Sequence, residues 1–432
     1  MRDNIFWQKE LETIDRKQLI KLQLDSINSQ INTAKKSILY KNKLSKINKI
    51  SSLKELENLP FTSKKDLQDC FPYGALSVKL KEVVRLHSSS GTINVPTIAF
   101  YTKKDINDWA NLLARSMYMV GARDTDICQC INGYGLFTGG LGCQLAGETL
   151  GMLTIPISTG NTKKQIFYMK NFKTTVVHIL PSYALRLLNY IQENNIDIKN
   201  DFNLRIFFIG AESYSEQMRK KIEKFYNVKV YDLYGLSEIY GPGIATECEY
   251  QNGNHIWEDY VYPEIIDSKT LKVLPDGQEG ELVLTTLKKQ AMPLIRYRTR
   301  DITKIISEPC KCGRTHRRIA KVTARTDDMI IINGVNIFPI QIEKVLLTEA
   351  PLIKNYRVEI LRKNGLDKLN IKLEINNEYF NNKNYLLNLK EKISKNLKNE
   401  LGINPIIDFV YTGSIKTNEG KEKKVIDLRT TQ

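Results

Sequence analysis

Three short strings in this sequence carry the residue types that phosphate chemistry uses. LHSSSGTINVPT, from Leu86, sets three serines, a glycine and a threonine between apolar runs. Glycine lets backbone approach closely, and hydroxyls together with backbone N–H groups can wrap phosphate oxygens. FFIGAES ends an apolar run at Gly210, Ala211 and Glu212, and YDLYGLSE ends another at Ser237 and Glu238. In the latter, Tyr234 offers an aromatic face for a base, Ser237 a hydroxyl and Glu238 a carboxylate suited to Mg²⁺. Each string taken singly also reads as an ordinary strand end, because Ser, Gly and Thr dominate turns and caps. Sulfur is concentrated too: Cys310-Lys311-Cys312-Gly313 is a tight C-x-C-G knuckle, and Cys248 precedes His255 by seven positions. Cys128 and Cys130 form a second C-x-C inside an apolar strand pattern, where a core role is the expectation.

Elements of regular spacing must position these groups. VVHIL after Thr175, LRIFFIG ending at Gly210 and VKVYDLYG ending at Gly235 are near-continuous apolar runs separated by helix-length segments such as SEQMRKKIEKFY. That rhythm predicts a parallel, helix-covered sheet, in which ligands bind beyond the carboxyl ends of the strands. Within the first fifty residues, Leu19, Leu22, Ile27 and Ile31 recur at helical spacing. Near Arg325 the pattern changes and a smaller α+β unit begins.

The chain has 432 residues with 42% hydrophobic and 26% charged content, which suits two or three globular domains and excludes disorder and fibrous classes. Its net charge is +16, yet no run of five like charges occurs and no basic stripe is interleaved with aromatics, so a nucleic-acid binder is not the expectation. The N-terminus carries acidic residues and lacks the apolar core of a signal peptide. The longest uncharged stretch, between Asp126 and Glu148, holds six glycines and would make a poor membrane helix. Seven cysteines, an odd number in a long chain, point to a reducing cytoplasm, with free thiols or a metal site. No membrane partner is expected.

The order of the strings adds what the pieces lack. From PFTSKKDL at Pro60 through YGLFTGGLG, YGLSEIYGPG, IWEDYVYPEIID, PLIRYRTRD and GVNIFPIQIE to GSIKTNEGK, the sequence resembles the phenylacetate–coenzyme A ligase family of adenylate-forming enzymes. The resemblance implies an α/β fold: a large N-terminal domain, 1–325, with mostly parallel helix-covered sheets and a helical part at 1–75, plus a small mobile C-terminal α+β domain, 326–432. It implies ATP and coenzyme A as co-substrates, Mg²⁺, an aromatic acid and a homodimer. Carried over by position, Ser89, Ser90, Gly91 and Thr92 become the phosphate loop. Gly210, Ala211, Glu212, Asp232, Tyr234 and Gly235 lie on the adenine side, Ser237 meets the α-phosphate and Glu238 holds Mg²⁺. Asp301 accepts from the ribose hydroxyls, its alternative being a pair with Arg298 or Arg300. Arg325 approaches the nucleotide, Asp327 or its neighbour forms the hinge, and Lys421 is the catalytic lysine.

Tyr134, Phe137 and Gly139 are expected in the acid pocket, the alternative being that both aromatics are core. The same resemblance brings Cys248, His255, Cys310 and Cys312 into one structural zinc site, against free thiols and a solvated histidine. One departure stands out: SSGTTGKPT is the family's usual phosphate loop, whereas Ile93, Asn94 and Val95 here replace a Thr, a Gly and a Lys. The loss of that cation and of backbone freedom bears on rate and nucleotide choice. Two other readings remain open in the sequence: AMP transfer to a deazaflavin phenol, and a non-catalytic nucleotide-binding protein.

Overall fold

A computed structural model describes residues 5–88, 95–322, 324–326, 328–333, 335–349, 352–363, 366–415 and 424–429. Two compact units divide the chain. The first comprises Met1–Ile179, Lys199–Ala211 and Lys229–Val322, and the second Leu180–Ile198, Glu212–Val228 and Thr323–Gln432.

In the first unit the N-terminal region folds as helices. Arg16–Ala34 begins at Asp15, whose carboxylate accepts from the N–H groups of Lys17 and Gln18. Leu19, Ile27, Ile31 and Ala34 are buried along one stripe, as the spacing predicts. Leu22 is only half-buried, and Gln23 takes the inward position instead, donating to the Glu258 carbonyl at 3.0 Å. Ahead of that helix, buried Glu12 pairs with Arg314 at 2.7 Å.

A nine-stranded sheet forms the centre of this unit. From edge to edge it runs Ile305–Ile306, Arg318–Ile319, Asn254–Ile256, Gly241–Glu247, Lys229–Leu236, Ile206–Gly210, Val176–Ile179, Ile127–Cys130 and Leu153–Ile155. The five strands from Lys229–Leu236 to Leu153–Ile155 are parallel, and the remaining pairs are antiparallel. Strands VVHI and IFFIG are buried at every position, which is why they read as continuous apolar runs. The expectation of mostly parallel sheets therefore holds for half of the large sheet. A tight return from Leu236 to Gly241 reverses the chain where a helical crossover would have kept it parallel.

A second, antiparallel sheet contains Val261–Ile266, Gly280–Thr286 and Tyr297–Thr303. The last strand alternates strictly between buried and half-buried residues, so Asp301 turns inward with Tyr297, Thr299 and Thr303 while Arg298 and Arg300 face the other way.

The second unit holds the helices Pro181–Glu193, Glu216–Tyr226, Pro339–Glu349 and Lys383–Leu401. Its four-stranded sheet has the order Ile406–Tyr411, Leu366–Ile375, Asn355–Lys363, Val425–Asp427. Leu389, Ile393, Leu397 and Leu401 repeat every four residues along the last helix and bury against this sheet's core. Glycine at 402, with φ +72°, ends that helix in the left-handed conformation.

Candidate functional site

The strand ends of the first unit bring the predicted nucleotide residues into two contacts. Tyr234 donates its phenolic hydrogen to Asp301 Oδ2 at 2.5 Å. Neither arginine claims that carboxylate through its own strand: Arg298 forms a two-pronged pair with Glu281, at 3.0 and 2.6 Å, and Arg300 leans on Glu281 at 3.7 Å. The pairing alternative for Asp301 thus gives way to a buried carboxylate held by a tyrosine. Ser237 Oγ meets Thr138 Oγ at 3.0 Å, and the Ser237 carbonyl accepts from the Tyr101 hydroxyl at 2.6 Å. Beside them Glu238 is buried. Burial, and then the charge of Glu238, push the Tyr101 phenol well above its ordinary value, which keeps it a donor.

Close approach dictates the glycines here. A Cβ on Gly210 would lie 2.1 Å from the Leu233 carbonyl oxygen, and one on Gly235 would lie 2.0 Å from that of Gly241. Ala211 sits at φ +64°, a conformation costly for a residue with a Cβ and concentrated at functional sites. Two other expected residues are tied into the framework. Asp232 accepts from Asn254 Nδ2 at 2.6 Å, and its N–H donates to Glu247. In the second unit, the Glu212 carboxylate accepts from the Ser182 N–H at 3.2 Å, at the start of helix Pro181–Glu193. Arg325 stands 3.9 Å from Asp328. Ser89, Ser90, Gly91, Thr92, Ile93, Asn94, Asp327 and Lys421 lie outside the described residues.

On the acid side, the loop after Ile127–Cys130 docks through Leu136, whose carbonyl accepts from the Ser88 N–H at 3.0 Å. The helix Thr138–Leu150 follows, and its glycines admit neighbours that any Cβ would exclude: Tyr134 packs so closely on Gly140 that a Cβ would come 2.3 Å from Cδ2. Tyr134 is half-buried, while Phe137 is exposed and precedes the helix. Gly139 lies against Asn132. Core packing thus fails as a description of Phe137, whereas Tyr134, half-buried, packs against the hydrophobic core of this unit as well as on the helix. Sequence reading assigned no role to Thr138 or Tyr101. Thr138 stands beside Phe137 in the FTGG string, which was the available signal, whereas nothing marks Tyr101 locally.

Cys248, His255, Cys310 and Cys312 place their ligand atoms within 4.8 Å of one another. Cys248 Sγ is 3.6 Å from Cys310 Sγ, and Cys312 Sγ is 3.2 Å from His255 Nε2. The other imidazole nitrogen, Nδ1, lies 3.1 Å from the His316 carbonyl, an arrangement that fixes Nε2 toward the sulfurs. A hydrogen bond from Cys248 pushes the Cys312 thiol far down, with His255 helping against burial. One histidine and three cysteines in a cluster buried at every member but Cys310 fit a tetrahedral structural ion. Cys128 and Cys130, as expected, are core residues, and Cys143 joins them from the helix Thr138–Leu150.

Comparisons with known proteins place the chain by family and fold. A family model described as AMP-binding enzyme matches residues 99–288, and one described as AMP-binding enzyme C-terminal domain matches 334–429. Over its whole length the fold is similar to a crystal structure of 2-hydroxyisobutyryl-CoA ligase in the postadenylation state with R3-HIB-AMP. That match has a TM-score of 0.91 at 25% identity and covers 99% of this chain and 93% of the other. Fold and site together define an adenylate-forming enzyme of the AMP-binding class. Among curated proteins, the phenylacetate-coenzyme A ligase of Pseudomonas putida is 44% identical over 88% of this chain and 86% of its own, and that of Thermus thermophilus 37% over 98% and 100%. The chain belongs to the phenylacetate–coenzyme A ligase family.

Proposed function

We propose that this protein is an ATP-dependent ligase that joins an aromatic, phenylacetate-like carboxylic acid to coenzyme A, releasing AMP and pyrophosphate. The observation that carries the reading is the 3.0 Å contact between Thr138 and Ser237, which links the acid-side helix to the nucleotide-side turn within one unit. A carboxylate is a poor electrophile. Its attack on the α-phosphorus of ATP expels pyrophosphate and leaves an acyl adenylate, from which the coenzyme A thiolate then displaces AMP.

On this reading Asp301, oriented by Tyr234, accepts from the ribose hydroxyls, and Gly210 and Ala211 border the adenine. Ser237 donates to the α-phosphate, and the Tyr134 ring lines the acid pocket. The Glu238 carboxylate suits Mg²⁺, which when bound neutralises charge on the phosphates. Lys421 supplies a fixed ammonium where charge builds during the displacement, and residues 326–432 present it for the first step and withdraw it for the second. The Cys248–His255–Cys310–Cys312 cluster holds a structural Zn²⁺. We place the enzyme in the cytoplasm, on its odd cysteine count, and as a homodimer; among the described residues no helix is long and apolar enough to cross a membrane.

The test is pyrophosphate release with Mg-ATP across aryl, arylacetic and short aliphatic acids, with AMP and thioester read in parallel. Thioester formation with an arylacetic acid only when coenzyme A is present is the expected result. Measurable ATP binding without turnover on any acid would refute it.

A further inference from the structure

Lys289 is fully buried, and its Nζ has no hydrogen-bond partner among the described residues. It lies over two aromatic faces, 3.3 Å from the ring centre of Tyr101 and 4.7 Å from that of Tyr240. The adjacent Lys288 differs, for it is ion-paired with Asp259 at 3.3 Å. The larger acidic influence on Lys289 is that of Asp105, but that carboxylate is occupied by the backbone N–H groups of Thr102, Gln290 and Ala291. Asp108 is the next, and it pairs with Lys104 at 2.5 Å. A buried ammonium without a paired anion is among the most costly groups a fold can hold, and burial accordingly pushes Lys289 down to about 7, so its charged form prevails only below neutral pH. A methionine would fill the same volume without that cost, so packing alone gives no reason for a lysine.

What the ammonium acts on is visible in the next contact. The Tyr101 ring that carries Lys289 on its face donates its hydroxyl to the Ser237 carbonyl at 2.6 Å, one residue before Glu238. A cation over the face draws electron density from the ring and strengthens the phenol as a donor. His87 packs edge-on against both Tyr101 and Trp109, and burial keeps it neutral at a pKa of about 4, so it adds no charge at the ring, whereas the Arg85 guanidinium also acts on the Tyr101 phenol. We propose that Lys289 is a positioning residue that acts through Tyr101 to hold the Ser237–Glu238 turn in the orientation that binding of Mg²⁺ and the triphosphate requires. The inference rests on the reading of Glu238 as a Mg²⁺ ligand.

The experiment uses the full chain with Lys289→Met, Lys289→Arg, Tyr101→Phe, the Lys289→Met/Tyr101→Phe double variant and Glu238→Gln. It reads the Mg²⁺ activation constant, KM for the acid and the thermal midpoint. Lys289→Met is expected to melt no lower than the wild type, while its Mg²⁺ requirement rises by about 10–100-fold and KM for the acid stays unchanged. Tyr101→Phe moves the Mg²⁺ requirement the same way, the double variant is no worse than the worse single one, and Lys289→Arg recovers part of the loss. A Lys289→Met protein with wild-type Mg²⁺ dependence overturns the proposal, as does one in which stability and every kinetic constant fall together. Should Lys289→Met fail to fold, wild-type Mg²⁺ dependence in Tyr101→Phe overturns it equally. Glu238→Gln separates the two failures: Mg²⁺ dependence unmoved there removes the metal reading and this proposal with it. Dependence moved there but not in the Lys289 variants removes the proposal alone.

Discussion

Tyr234 and Asp301 stand 67 positions apart in the chain and share one hydrogen bond of 2.5 Å, with the tyrosine as donor. The bond ties the end of a parallel strand in the large sheet to the middle of a strand in the antiparallel one. It also fixes which carboxylate oxygen remains to accept from elsewhere. Replacement of Asp301 by Asn should therefore raise KM for ATP by about 10–100-fold, the worth of a hydrogen bond to a charged group. Tyr234→Phe, which only frees the carboxylate to turn, should raise it less. ATP titration of pyrophosphate release decides the matter, and an unchanged KM in Asp301→Asn would exclude the ribose role.

Gly140 gives a test of the acid side. Because a Cβ there would lie 2.3 Å from Tyr134 Cδ2, Gly140→Ala must push the ring off the helix. Overpacking of this kind costs about 1–3 kcal/mol. KM for the acid is expected to rise while KM for ATP holds, and the opposite pattern would mean that Tyr134 lines no acid pocket.

The sulfur cluster predicts a metal content. Elemental analysis should find about one zinc per chain, the complement of a single Cys₃His site. The Cys310→Ser/Cys312→Ser double variant should lose it and melt earlier, since binding energy at such a site is folding energy. Purified wild-type enzyme without zinc would end this assignment.

Acid stability has a named contributor in Glu258. Burial alone would raise its pKa, but Arg317, Arg16 and His316 outweigh burial and hold it at about 2, against 4.5 ordinarily. A depressed carboxylate stabilises the fold fully above about pH 4.5, and that contribution disappears as pH falls toward 2. The shift corresponds to about 3 kcal/mol. Chemical denaturation at several pH values should show the decline in wild type and a flatter, lower profile in Glu258→Gln.

Lys421→Ala should slow adenylation by about 100-fold or more, as loss of a charge-stabilising group at a transferring phosphoryl does. Thioester formation from pre-formed acyl adenylate should survive the change. Parallel loss of both half-reactions would deny the lysine a step-specific role.

The parallel half of the large sheet was legible because its strands are apolar at every position, which leaves no competing pattern. Its antiparallel half was not. There the inward positions include Glu247, Asn254 and His255, buried polar groups that meet Asp232 and His316 at separations no local spacing reveals. The same limit applies to the site. Asp301 could be named from RYRTRD, yet its partner Tyr234 depends on two sheets meeting. Lys289 was one of many lysines until burial singled it out, and Cys143 gave no sign of lying beside Cys128 and Cys130. Leu22 failed as a core residue because helical spacing marks a stripe but not its exact edge, and Gln23 found a buried carbonyl.

Glu12 and Arg314, buried together 302 positions apart, set a condition on biosynthesis. As the chain leaves the ribosome, the carboxylate near its beginning has no cation to meet until most of the polypeptide has been made. The two units are also interleaved in the chain, so the first cannot be completed until residues up to Val322 have been made. Contacts between such remote positions carry a large loop-closure cost and form slowly. The part of the Arg16–Ala34 helix that packs against Gly280–Thr286 must therefore wait uncovered, which is the interval in which a chaperone would matter most.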